Sequence, residues 1–210
     1  MKPGLLALAL VGLPVQAVVI PLLTGDSDPL AAWEEHSFSG HTRYQLRSSP
    51  TGPIIEAHSN GTASGLFRRI RIDLEQTPYL IWSWQVKQAL PPLDETRKQG
   101  DDYSARVYVV HQPSPWMPWR TRAINYVWSS SQPVGEDWPN AFTERSHMVA
   151  LRNQAHAPGM RYEERRNIKD DFERYFGEKI RYIDVIAIMT DTDNSGLQAR
   201  AVYGNLSFSS

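Results

Sequence analysis

Apolar residues recur at every second position over several short stretches of this chain. Between Gly65 and Leu74, the residues Leu66, Ile70, Ile72 and Leu74 fall on one side, and Arg69, Arg71 and Asp73 on the other. That alternation is the period of a strand with one face buried. Tyr79 to Val86 repeats it, with Leu80, Trp82, Trp84 and Val86 sharing a face and Ser83 and Gln85 opposite. Weaker versions run over Phe38 to Leu46, Ile54 to Ala57, Tyr103 to His111, Ala123 to Ser129, Ser146 to Leu151 and Ala199 to Phe208. Ile180 to Thr190 is the strongest, and its apolar run from Ile183 to Met189 befits a buried strand. Val134 to Arg145 reads as loop.

One segment departs from this rhythm. From Asn167 to Gly177, Ile168, Phe172 and Phe176 recur at helical spacing. Asn167 supplies a cap, Asp170 completes a capping-box variant, and Gly177 suits the residue just past a helix end. Tyr162 to Arg166 either extends this helix backwards or is irregular. Together the elements predict an all-β fold: a single jelly-roll-like β-sandwich of about nine strands with one short helix, about 167–177.

The first residues change the boundaries. Lys2 is followed by the apolar stretch Leu5 to Leu13, and Val15-Gln16-Ala17 offers small residues for cleavage. An apolar core of about nine residues is too short to span a bilayer and fits a secretory signal. The expected division is a signal peptide at 1–17 and one β-sandwich domain at 18–210, in a periplasmic or secreted protein. No later apolar run is long enough to cross a membrane as a helix, so no transmembrane segment is expected after cleavage. With no cysteine there is no disulfide, no thiolate metal site and no thiol nucleophile. A formal charge of −1 gives nucleic acid nothing to attract it, and no nucleic-acid partner is expected.

Candidate chemistry gathers where the Ile180–Thr190 strand ends. Asp191, Asp193 and Ser195, followed by Gly196, match the opening of a calcium loop, because hard cations take oxygens at alternate positions. The twelfth position of an EF-hand would be a glutamate, and here it is Val202. A different calcium site would draw further oxygens from Asp101, Asp102 or a backbone carbonyl; no cofactor is otherwise indicated. A plain turn, with Asp and Asn bonding their own backbone, is the competing reading.

Gly100-Asp101-Asp102 precedes the strand that carries Arg106. Buried, Arg106 must be paired, because a lone buried charge is very costly. The candidate ligand-binding set is therefore Asp101, Asp102, Arg106, Asp191, Asp193 and Asn194. Trp116 and Trp119 join it, as stacking residues on the triple-proline loop Pro113 to Arg120. The candidate metal set is Asp191, Asp193 and Ser195. The six histidines are scattered without His-x-His pairing, and Gly-x-Ser-x-Gly is absent. No catalytic residue is assigned.

Five segments in this order carry a resemblance: Leu80 to Val86 (LIWSWQV), Gly100 to Val107 (GDDYSARV), Tyr126 to Trp128, Asn167 to Gly177, and Ile186 to Asn194 (IAIMTDTDN). As a set they resemble a bacterial family designated domain of unknown function 3047, over roughly Leu30 to Phe208. The resemblance implies a secreted or periplasmic β-sandwich, with no established activity and no catalytic residues to transfer. A looser likeness, carried by Ala63 to Leu66 and the strands after it, is to the galactose-binding-like jelly rolls, which include carbohydrate-binding modules. The preferred reading is a non-catalytic binding module whose partner is a saccharide or other cell-envelope ligand. A glycan hydrolase using paired carboxylates and an envelope protein-interaction module are the alternatives.

Overall fold

The computed structural model describes residues 17–24 and 28–210. The leader expected over residues 1–17 lies outside the described residues but for Ala17. The strands are β1 (Val19–Pro21), β2 (Glu34–Ser39), β3 (Arg43–Ser49), β4 (Gly52–Asn60), β5 (Ala63–Asp73), β6 (Tyr79–Gln88) and β7 (Ala105–His111). They continue as β8 (Arg122–Trp128), β9 (Asp137–Asn140), β10 (Thr143–Arg152), β11 (Tyr162–Asn167), β12 (Tyr182–Asp191) and β13 (Gln198–Ser209), with one helix, α1 (Ile168–Phe176).

Two sheets form a sandwich. One runs β11-β6-β13-β4-β3, with β1 beside the last residues of β13, and the other runs β2-β5-β12-β7-β8-β10-β9. All pairings are antiparallel except β8 with β10, which are parallel. That exception arises because β9 lies outside β10, so the chain crosses the edge before it returns. Among the described residues no helix is long and apolar enough to cross a membrane.

The expected all-β sandwich with one α-helix is what forms, but with thirteen strands among the described residues, not nine. The Phe38–Leu46 stretch is split by the turn at Gly40, and its halves, β2 and β3, pair in different sheets. Val134–Arg145 holds β9, and Tyr162–Arg166 is neither helix nor irregular but strand β11, paired with β6.

The core lies between the sheets. Leu80, Trp82, Trp84 and Val86 of β6 are at most 1% exposed, as their shared periodicity requires. They meet Val107, Val109, Ile124, Tyr126 and Ile186 from the second sheet. The helix closes one end by burying Ile168 and Phe172. Asn167 accepts from the Asp170 amide, and Gly177 adopts the left-handed φ of +66° that ends the helix. Below it, Asp171 accepts from Arg166 and from the Tyr126 hydroxyl at 2.6 Å, so its buried charge is paired.

A fully buried phenylalanine on the helix should matter far more than an exposed tryptophan on a loop. Phe172→Ala is expected to cost about 3–5 kcal/mol in urea unfolding. Trp116, 86% exposed, is expected to change stability by no more than about 0.5 kcal/mol when replaced by alanine. Similar losses at both positions would contradict this placement of the core.

Candidate functional site

Strands β5, β12, β7, β8 and β10 bury one face in the core and turn the other outward. Pairing aligns residues across that outer face. Met189 lies opposite Gly65 and Arg106, Ala187 opposite Tyr108, Tyr108 opposite Asn125, and Asn125 opposite Met148. Ala63, Tyr108, Ala187 and Met189 pack there as a small apolar cluster separate from the main core. Above them lies a groove of about 460 Å³. Phe38, Tyr108 and Phe142 give it aromatic surface, and Asn125, Asn140 and Ser146 give it amide and hydroxyl groups.

Arg106, Asp191, Asp101, Asp193 and Asn194 also line the groove. The two aspartate-bearing bends share one end of the sandwich. Arg106 and Asp191, 8% and 2% exposed, are joined by a hydrogen bond from Nη2 to Oδ2 at 2.8 Å. The guanidinium also lies 4.5 Å from the centre of the Tyr103 ring. Asp191 Oδ1 and Arg106 Nε are buried without a partner. Across the core, the Tyr203 hydroxyl of β13 donates to the Met189 carbonyl at 2.6 Å and accepts from the Arg106 amide at 3.2 Å. It thereby ties β7 to β12 directly beneath the ion pair.

Each bend is held by its own contacts. Gly100 passes so close to the Asp94 backbone that a side chain there would collide with it. Glu95, fully buried, accepts from the Ser129 hydroxyl, the Ser130 amide and the Ser130 hydroxyl at 2.5, 2.5 and 2.7 Å. These contacts fix the loop that delivers Asp101 and Asp102. The Asp101 carboxylate accepts from Asn140 Nδ2 at 2.9 and 3.0 Å and from the Tyr103 hydroxyl at 3.1 Å. Asp102 accepts from the amides of Asn194 at 3.2 Å and Ser195 at 2.7 Å, and from Asn194 Nδ2 at 3.2 Å. Asp102 is therefore what fastens the 192–196 turn to the other bend.

Oxygens of Asp102, Asp191 and Asp193 lie within 4.8 Å of one another. Asp102 joins the expected Asp191 and Asp193 in this group and accepts from the Ser195 amide, while the Ser195 hydroxyl accepts from the Leu197 amide at 3.4 Å. Burial pushes the Asp191 carboxyl well above its ordinary range; Asp102, Asp101 and Asp193 add to the push, and Arg106 opposes it. Burial likewise raises Asp101 and, with Asp102, Asp193. Burial works against the Arg106 charge, but Asp191 and Asp101 outweigh it and keep the guanidinium protonated.

Trp116 and Trp119 are not at this end. Their loop joins β7 to β8 at the His111 end, whereas Arg106 is at the start of β7. A seven-residue strand separates its ends by about 20 Å. Both rings are exposed, at 86% and 61%, and neither lines the groove. Asn125, Asn140, Tyr108 and Phe142 were not singled out in the sequence. Asn125 carried a signal, as a lone polar residue within Ala123–Trp128, an otherwise apolar strand.

The comparisons fit this architecture. The profile of a family described as protein of unknown function (DUF3047) matches residues 31–207. No curated protein matches the sequence. The family 30 carbohydrate-binding module of a cellulosomal cellulase from Clostridium thermocellum superposes with a TM-score of 0.52 over 91% of this chain and 96% of that one, at 7% identity. A family 11 carbohydrate-binding module from the same organism gives a TM-score of 0.43 at 13% identity, covering 93% and 95%. An engineered cellulase derived from that of Rhodothermus marinus gives 0.47 at 10% identity, covering 93% and 100%. At these identities the likeness concerns the fold.

Glu95 provides a check on the loop anchoring. Burial raises its pKa from the ordinary glutamate value, although Ser129 and Ser130 pull it down. The folded protein then holds a proton that the unfolded chain releases. This contribution is present below the unfolded value and is lost as pH rises through the raised one. Melting temperatures measured from about pH 4 to 8 should show a downward component in wild type that Glu95→Gln removes. An unchanged pH slope in the variant would contradict it.

Proposed function

The chain belongs to the family described as protein of unknown function (DUF3047), and from the chemistry of its outer groove we propose a non-catalytic binding protein for a saccharide or similar polyhydroxylated cell-envelope ligand. The observation that carries this reading is the combination of aromatic faces and fixed polar groups on one rigid sheet. A sugar ring offers an apolar face and a rim of hydroxyls. Phe38 and Phe142, 59% and 55% exposed, offer surface for the ring face. Asn140 and Asn125 are held by Asp101 and Ser146 respectively, so their amides are fixed in orientation before a ligand arrives. A concave apolar surface with a few placed polar groups is the general form of a small-ligand site. The family 30 module supports the architecture alone; the ligand class rests on the groove.

The proposed setting is the periplasm or the exterior. Its support is the leader pattern of residues 1–17. The first strand begins at Val19, just past the expected cleavage point.

Glycan arrays followed by calorimetry test the proposal. An envelope or plant-type oligosaccharide is expected to bind, and Asn140→Ala to weaken it about tenfold, the effect of one lost hydrogen bond. Trp116→Ala should leave affinity unchanged. Loss of binding on Trp116→Ala with Asn140→Ala silent would move the site to the opposite end. Shortened products would favour the carboxylate hydrolase, and no binding to any glycan would refute the ligand class.

A further inference from the structure

We infer that Asp102, Asp191 and Asp193 form a site for a hard divalent cation of the calcium class at the acidic end of the groove. The inference goes beyond saccharide binding and does not depend on it. Its first support is geometric: an oxygen from each carboxylate lies within 4.8 Å of the others, a separation that one ion can bridge.

The second support is an oxygen left over. Asp191 is 2% exposed, and its Oδ2 is taken by Arg106, while its Oδ1 is buried with no hydrogen-bond donor. A buried carboxylate oxygen without a donor is costly, and a cation supplies what the protein does not. Within the turn, Asp102 receives the amides of Asn194 and Ser195, and Asp193 Oδ1 receives only the Asn194 side-chain amide at 3.3 Å, so the free Asp191 oxygen takes no part in holding the loop.

Charge balance points the same way. Four acidic side chains, Asp101, Asp102, Asp191 and Asp193, gather around a single guanidinium, Arg106, and burial works against the ionised forms of Asp101, Asp191 and Asp193. A bound divalent ion favours those ionised forms without displacing any contact described. Oxygen-only ligands favour calcium or magnesium over zinc or copper. Calcium accepts an irregular shell of six to eight oxygens, completed by water where the groove opens, whereas magnesium demands a near-octahedral one.

The experiment uses the full chain, stripped with chelator, at neutral pH and without any saccharide. Calcium is titrated by calorimetry, and terbium by luminescence excited through the protein's aromatic rings, with Tyr103 against Arg106 and Tyr108 in the groove lining as candidate sensitisers. One saturable site is expected, with a Kd on the order of 10⁻⁴ to 10⁻³ M, as in extracellular calcium modules. Asp193→Asn, at a half-buried position, should weaken calcium about tenfold or more and dim terbium emission, with the circular-dichroism melt confirming a folded protein. No saturable heat and no sensitised emission up to about 10 mM, well past that range, would overturn the site. Unaltered binding in Asp193→Asn would overturn its ligand set. Because no sugar is present, failure of the saccharide reading leaves this result standing.

Discussion

A full charge pair sits where an outward-facing strand position would ordinarily meet water. Arg106 and Asp191 occupy the outer face of the seven-stranded sheet, yet both are nearly inaccessible. Removing either charge from water is expensive, and their attraction recovers that cost only when geometry and neighbouring contacts are good. Here the neighbours are Tyr103 against the guanidinium and Tyr203 bonded to both strands beneath it. The pair pins the start of β7 to the end of β12, and the two acidic bends leave the sheet from those same points. The shape of the groove's polar end follows from that attachment.

The two sheets divide the work. The inner faces supply apolar burial, with Trp82 and Trp84 filling the middle. The outer face of the seven-stranded sheet carries the chemistry, and its polar groups are prearranged by buried hydrogen bonds and not by ligand. Glu95 holds one bend through three donors, and Asp102 holds the other through two amides. A network of this kind is rigid when complete and costly when broken. Among the described residues, Asp191 Oδ1, Arg106 Nε and, beside Tyr103, Trp138 Nε1 are buried without a partner on this side of the sheet.

Much of this was readable from residue order. Period-two burial placed β5 and β6, because each has one side against the core. The cap at Asn167 and the stop at Gly177 placed α1. The acidic bends were legible because carboxylates clustered after an apolar run. Other features depend on partners far along the chain. Glu34–Ser39 is exposed throughout, so β2 has no burial period and is defined by pairing with β5. Tyr162–Asn167 is a strand because β6 offers it an edge, against a composition that suits a helix. Asp102 joins Asp191 and Asp193 because the amides of Asn194 and Ser195 draw its carboxylate to the turn, a contact between residues about ninety positions apart. Trp116 lies far from the groove because the polarity of β7, invisible in composition, carries its loop to the other end.

Coupling between Arg106 and Asp191 is the most direct test of the account. In a double-mutant cycle by urea unfolding, Arg106→Met and Asp191→Leu are each expected to cost about 3–5 kcal/mol, the penalty of stranding a buried charge. The double variant should cost far less than their sum. Additive losses would show that the two charges act independently, and the ion pair could not then be the element that organises the groove.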